Sequence, residues 1–152
     1  MSRPHHLRRQ CGTALLELAL ALPVLLTLVA CVAFYGRLLY NYQVAQKASH
    51  DAVRYLSSAS QASMFDPQLA MKEEALTRDI AEAELTGLDR QAISGPFIVI
   101  QCDGIPCVGN SLPTIVMVEV QLTMNKKLLP DFIPFLSSLR LRARNTMRYA
   151  GT

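Results

Sequence analysis

The chain lacks tryptophan, and its 152 residues include three histidines. None of the histidines is close in sequence to Cys102 or Cys107, so we expect no metal site. No basic run is interleaved with aromatic residues, and nucleic acid is not an expected partner. The motifs G-x-S-x-G and H-E-x-x-H and a glycine-rich phosphate loop are also missing. We therefore expect no enzymatic activity, no cofactor and no small-molecule substrate.

A long apolar run extends from Thr13 to Tyr35, and Glu17 is its one charged residue. About 20 apolar residues are enough for a helix to cross the roughly 30 Å hydrocarbon core of a bilayer. Arg8 and Arg9 lie just before the run. Basic residues beside a first span favour retention of that end in the cytoplasm. The sequence predicts a single-pass membrane protein with a cytoplasmic N-terminus and an extracytoplasmic C-terminus.

The helix is predicted to continue beyond the membrane to about Ser57, because apolar residues recur there at spacings of three and four. These residues are Leu38, Tyr42, Ala45, Ala48, Ala52, Tyr55 and Leu56. The predicted organisation is a basic leader at 1–12, a transmembrane helix at 13–36, an extramembrane continuation at 37–57 and an extracytoplasmic head at 58–152.

The head is predicted to be α+β. Residues 57–65 are mostly small and indicate a linker, and Asp66 followed by Pro67 is a typical helix start. Gly87 is a natural end for that helix, and Gly95-Pro96 breaks the chain again. The strands of a short, mainly antiparallel three-stranded sheet are predicted at residues 97–102, 116–124 and 139–148.

Cys102 and Cys107 enclose a short segment with Asp103-Gly104 as a turn. If the C-terminal part is extracytoplasmic, its compartment is oxidising and a disulfide is favoured. The alternative is a pair of free thiols.

Arginines alternate with apolar residues along the last predicted strand and therefore share one face. They are Arg140, Arg142, Arg144 and Arg148. One interpretation is a solvated face with Glu119 or Asp131 nearby. The other is contact with an acidic partner subunit or with anionic lipid headgroups.

Glu17 requires an explanation, since a carboxylate within a membrane span costs on the order of a few kcal/mol, less near an edge. A cut between Gly12 and Thr13 would create an α-amino group four residues away, about one helical turn from Glu17. That group, or its equivalent in a neighbouring subunit, would convert a costly charge into half of an ion pair. Pro23 removes one helical hydrogen bond and predicts a local kink; local melting during subunit extraction is the alternative role.

The segment G-T-A-L-L-E-L-A-L-A-L-P resembles the N-termini of type IV pilins and pseudopilins, and most closely the TadE family of the tight-adherence (Tad) system. The residues that carry the resemblance are Gly12, Ala14, Glu17, Ala19 and Pro23, and it covers roughly residues 8–55. It implies cleavage after Gly12 by a membrane prepilin peptidase, with Thr13 as the mature N-terminus. Arg8, Arg9 and Glu17 would serve in recognition and charge pairing.

This resemblance implies a pseudopilin, a structural or assembly subunit in Tad (Flp) pilus biogenesis and secretion. Its expected partners are the prepilin peptidase, other pilin or pseudopilin subunits and the inner-membrane assembly platform. Its expected location is the bacterial inner membrane.

A competing interpretation is a lipoprotein with a binding head, because Leu28 to Cys31 satisfies a loose lipobox. Two features oppose it. Glu17 would interrupt the apolar core of a signal peptide, and the sequence stays apolar after Cys31, through Tyr35.

Overall fold

A computed structural model describes residues 11–88, 93–124 and 139–151 of the chain. The elements, in order, are α1 (Cys11–Ser57), α2 (Gln61–Phe65), α3 (Pro67–Glu84), a 3-10 turn (Leu85–Gly87), β1 (Ile93–Cys102), β2 (Ile115–Met124) and β3 (Arg140–Arg148). The predicted fold class is confirmed: a long N-terminal apolar helix precedes a head with a further helix and a three-stranded antiparallel sheet. The chain forms two compact units, Met1–Leu39 and Tyr40–Thr152.

In the first unit, α1 is apolar on every side. Large side chains from Leu15 to Val32 are exposed, and Leu15 and Leu20 are 70% and 68% exposed. Such a helix is stable where its surroundings are themselves apolar. Among the described residues, α1 is the one helix long and apolar enough to cross a membrane. The predicted boundary between residues 36 and 37 stays a prediction, and most of the predicted leader lies outside the described residues.

In the second unit, the sheet has the order β1-β2-β3 with both pairings antiparallel. The predicted strands form, but β1 begins at Ile93, four residues before the expected start at Phe97. The register shifts between Ser94 and Phe97, which brackets Gly95-Pro96. Proline has no N–H to donate to the neighbouring strand. A bulge at this position lets the strand continue past the proline. The expected chain break is therefore an irregularity within β1.

The core of the head lies between the inner face of the sheet and the C-terminal part of α1. Val118, Val120 and Leu122 on β2 are fully buried, together with Ala48 and Leu56 on α1. Burial of these aliphatic side chains supplies most of the stabilisation.

The apolar stripe of α1 was only partly predicted. Ala45, Ala48, Ala52 and Leu56 are buried as expected. Tyr42 is 37% exposed, whereas Asn41 and Ser49, which the pattern assigns to the polar side, are buried. The buried face of α1 is therefore wider than the stripe that the apolar spacing predicts.

The segment between α1 and α3 is more ordered than the predicted linker, since it contains α2. Ser60 caps this short helix by accepting from the backbone N–H of Ser63. The predicted start of α3 is confirmed: Oδ1 of Asp66 accepts from the N–H of Gln68 at 2.8 Å, and Pro67 is the first helical residue. These caps satisfy backbone donors that the helices leave unpaired.

Candidate functional site

The predicted processing site lies at the N-terminal end of α1. The backbone at Gly12 and Thr13 is helical, although the pattern had placed Gly12 before the helix. Arg8 and Arg9 lie outside the described residues, and the side chain of Thr13 is not described either. Four helical residues rise about 6 Å, so a group at the N-terminus of Thr13 would lie about one turn from Glu17.

Glu17 is an exposed carboxylate on an otherwise apolar helix surface. Along its own face of α1 lie Leu20, Ala21, Val24, Leu25 and Leu28. No cation among the residues that the structure describes contacts Glu17. In lipid, this carboxylate favours a positively charged partner that can approach the same face.

Pro23 lies inside α1. It has no N–H to donate to the carbonyl of Ala19, one turn earlier. One turn later, Oγ1 of Thr27 donates to the carbonyl of Val24 at 2.8 Å. The predicted kink at Pro23 stays a prediction.

Cys31 is an exposed free thiol within α1. Helix α1 continues from it without interruption to Ser57. This position gives no support to a lipoprotein, in which Cys31 would be the first residue of the mature chain.

Cys102 and Cys107 are joined by a disulfide, with their Cα atoms 5.0 Å apart. The carboxylate of Asp103 accepts from the N–H groups of Thr114 and Ile115, each at 2.9 Å, and so fastens the loop to the start of β2. The loop that follows β1 is thus held at both ends.

The same loop also docks against the start of α3. The N–H of Asn110 donates to the carbonyl of Phe65 at 2.9 Å. Gly109 has a φ of 74°, and a Cβ there would lie 2.7 Å from Cα of Pro67. The close approach of the two backbones therefore requires glycine at this position.

The four predicted arginines of β3 are all exposed and lie on the outward face of the sheet. Glu119, the carboxylate residue of β2, lies opposite Arg144, with 3.8 Å between Oε2 and Nε. Oε1 of Glu119 also accepts from Nε2 of Gln121 at 2.7 Å. Asp131, the other expected partner, lies outside the described residues. Among the described strand residues, Glu119 is the one carboxylate, and it contacts one of the four arginines.

The inner face of β3 contains a polar residue that the sequence analysis missed. Nδ2 of Asn145 donates to Oγ of Ser49 at 2.6 Å and to Oε1 of Gln46 at 3.1 Å. These bonds tie β3 to α1. The sequence did contain a signal for it. The alternation of β3 places Asn145 at an inward position, where its amide requires hydrogen-bond partners.

A second polar cluster was also missed. The hydroxyl of Tyr55 on α1 donates to Oε2 of Glu73 on α3 at 2.8 Å, and the hydroxyl of Tyr149 donates to the carbonyl of Ala59, also at 2.8 Å. Burial and the bond to Glu73 raise the pKa of Tyr55. Burial, followed by the charge of Glu73, raises the pKa of Tyr149. Both phenols therefore remain protonated in the folded head.

An exposed ion pair joins α1 to the end of α3. Nζ of Lys47 lies 2.7 Å from Oε2 of Glu84. The hydrogen bond and the charge of Glu84 raise the pKa of Lys47. Because Lys47 is exposed, the pair adds little to stability.

These features define a protein with one apolar helix suited to membrane anchoring and an α+β head. A model of the family described as TadE-like protein matches residues 12–54, and this confirms the resemblance seen in the sequence. The matched segment begins at Gly12 and includes Glu17 and Pro23. No curated protein and no solved structure matches the chain significantly. The family match supports a component associated with the Tad pilus.

Proposed function

We propose that the protein is a pseudopilin, cleaved by a prepilin peptidase between Gly12 and Thr13, that acts as a structural or assembly subunit of the Tad (Flp) pilus. The main support is Glu17, the one charged residue of the apolar run from Thr13 to Tyr35, five residues after the glycine at which the family match begins. No described cation compensates this charge. Cleavage at Gly12 would supply one.

The chemistry follows from the position of the cut. Hydrolysis of the Gly12–Thr13 bond leaves an ammonium group on Thr13, about one turn from Glu17. The carboxylate of the same chain, or of a neighbouring subunit, can then pair with it in a surrounding of low dielectric constant. Pairing of the ammonium group with the carboxylate lowers the free energy needed to bring this charged helix end among other apolar helices.

Assembly would proceed through the apolar surface of α1. Its large side chains, such as Leu20, Val24 and Leu28, are exposed along the face that begins at Glu17. In lipid, helices associate through close packing and through polar groups that find partners. The proposed partners are therefore other pilin or pseudopilin subunits, together with the peptidase and the inner-membrane assembly platform.

We place the protein in the bacterial inner membrane with its N-terminus in the cytoplasm and its head outside. Two observations support this orientation. Arg8 and Arg9 precede the span, and basic residues favour the cytoplasmic side. The Cys102–Cys107 disulfide fits an oxidising compartment for the head. No catalytic role is proposed for the protein.

The test compares the full chain in cells with and without an active prepilin peptidase. The expected result is a loss of residues 1–12 from the protein only where the peptidase is active. Replacement Gly12→Leu places a bulky side chain at the scissile bond and should block the cut. Gly36→Leu, in the same helix with no atom within 4 Å of the added Cβ, should leave cleavage unchanged. Equal processing of the two variants would contradict the proposal.

A further inference from the structure

The head carries two exposed clusters of opposite charge at opposite edges of its sheet. The basic cluster is formed by the outward arginines of β3. The acidic cluster is formed by Asp79 and Glu82, which are exposed on the C-terminal half of α3. We propose that the two clusters bind each other between copies, so that the β3 arginines of one head dock on the acidic end of α3 in a second copy of this chain.

No described ion pair joins the two clusters within one head. Helix α3 packs at β1, where Nη1 of Arg78 donates to the carbonyl of Ile98 at 3.2 Å. The strand order β1-β2-β3 places β3 at the other edge, about two strand spacings or roughly 10 Å further across. Within the described residues the two clusters therefore do not meet, and the proposed partner of each comes from another molecule.

The acidic cluster lies at the end of α3 where the helix dipole disfavours negative charge. A helix C-terminus carries a partial negative charge and favours basic residues. The last turn of α3 contains no basic residue, and Glu82 and Glu84 lie there instead. Lys47 compensates Glu84, but no described cation contacts Asp79 or Glu82. The described residues thus leave this end of α3 short of positive charge, which an approaching cation would supply.

Among the residues that the structure describes, the basic cluster also has little compensating charge. Arg140, Arg142 and Arg144 are spaced two residues apart on one face, about 7 Å from one to the next. Glu119 approaches Arg144 alone, at 3.8 Å. Guanidinium groups pair with carboxylates through two parallel hydrogen bonds, which suits exposed aspartate and glutamate side chains.

Contact between different surfaces of identical chains is heterologous, and such contacts generate rings or open helical arrays. An anionic membrane would also bind the arginines, but it would leave the acidic end of α3 unexplained. Charged residues on an edge strand can also serve to prevent strand pairing, and residues of either sign would then suffice. The inference concerns the heads alone and does not depend on cleavage at Gly12.

Carbodiimide coupling tests the contact directly, because it joins a lysine amine to a carboxylate within contact distance. The full chain carrying Arg142→Lys and Arg144→Lys is reconstituted in phosphatidylcholine bilayers as a mixture of ¹⁴N- and ¹⁵N-labelled copies. The expected product is a mixed-label peptide joining position 142 or 144 to Asp79 or Glu82. The intrachain Lys47–Glu84 coupling, across 2.7 Å, reports that the head is folded.

Adding Asp79→Asn and Glu82→Gln removes the carboxylates that the carbodiimide activates, so the mixed-label product at these positions should disappear and its assignment is confirmed. Absence of the mixed-label product in the first variant, with Lys47–Glu84 coupling intact, would overturn the proposal. That result is also the one expected if the arginines bind lipid or only protect the edge.

Charge reversal is an independent test, in which the wild-type chain with its arginines is the reference for association. Chains with Arg142→Glu and Arg144→Glu, or with Asp79→Arg and Glu82→Arg, should each fail to co-purify with a differently tagged copy of themselves. A mixture of the two variants restores opposite charges across both contacts and should co-purify. Failure of the mixture to associate while the wild-type copies do would contradict the pairing.

Discussion

The apolar part of α1 and the head differ in how clearly a functional residue can be recognised from the sequence. Along the apolar run from Thr13 to Tyr35, which lies within the segment that matches the TadE-like family, Glu17 is the one charged residue and stands out. In the head, charged residues such as Arg142 and Glu82 lie on a surface where charge is ordinary. A charged residue therefore carries more information in a membrane span than on a water-exposed surface.

The two regions also differ in the interactions that stabilise them. A helix in lipid satisfies its own backbone hydrogen bonds and gains little from further burial, so its specificity rests on few groups. The head depends on a packed core, a disulfide and partly buried hydrogen bonds. Substitutions should accordingly affect assembly when they fall in the first region and folding when they fall in the second.

The largest effect on assembly is expected from Glu17→Gln. Cleavage should continue, but the new ammonium group on Thr13 then lacks its partner. An unpaired charge near the edge of a span costs on the order of 1–3 kcal/mol, so incorporation into the pilus assembly should fall roughly tenfold to a hundredfold. Quantitative immunoblotting of the assembled and membrane fractions measures this. Leu18→Gln adds the same amide one residue away and is the control; equal losses from both variants would contradict a specific role for Glu17.

The largest effect on folding is expected from Leu56→Ala. Leu56 is fully buried against the sheet, and such truncations lower the free energy of unfolding by about 2–5 kcal/mol. Thermal unfolding of the full chain in detergent, followed by near-ultraviolet circular dichroism, measures the loss. Leu76→Ala, at a position 48% exposed on α3, should cost much less. Comparable losses of unfolding free energy in the two variants would contradict the assignment of Leu56 to the core.

Removal of the disulfide should have an intermediate effect. With Cys102→Ser and Cys107→Ser together, the unfolded chain regains loop freedom worth about 2 kcal/mol. A lower thermal midpoint of the head is expected, with unchanged insertion of the anchor. Cys31→Ser, within α1, is the matched control and should leave the midpoint of the head as it is in the parent chain. A disulfide variant as stable as the parent would show that the loop is held by Asp103 and Asn110 alone.

The smallest effect is expected at alkaline pH. The pKa values of Tyr55 and Tyr149 are raised above 10.0 in the folded head, so the unfolded state loses these protons first. Their contribution to stability is complete below pH 10 and is lost as the pH rises through the folded pKa values. Unfolding midpoints measured from pH 8 to 11.5 should fall at the alkaline end, and Tyr55→Phe should reduce the slope. An unchanged slope would show that Tyr55 does not contribute.

Much of the fold was predictable because the patterns were local. The cap at Asp66-Pro67 and the alternation in β2 and β3 identify elements without knowledge of their neighbours. Helix α2 has five residues, too few to form without tertiary contacts, so the sequence predicted a linker. Gly95-Pro96 usually ends a strand, and only pairing with β2 shows that it forms a bulge.

The candidate sites likewise divide into those that a local pattern reveals and those that depend on tertiary contacts. Gly12, Glu17 and Pro23 could be identified from the sequence because each is unusual at its position in an apolar helix. The role of Asn145 depends on Ser49 and Gln46, nearly one hundred residues away, and no local pattern connects them. The acidic end of α3 gains meaning only from the strand order, which places β3 at the far edge of the sheet.

The first residue of the mature protein tests the central claim most directly. Intact-mass measurement and N-terminal sequencing of the protein from cells that assemble the pilus should give a chain that begins at Thr13. A chain that begins at Met1 would leave Glu17 without its proposed partner, and a lipidated chain that begins at Cys31 would replace the helical anchor by acyl chains. Either result would contradict the account.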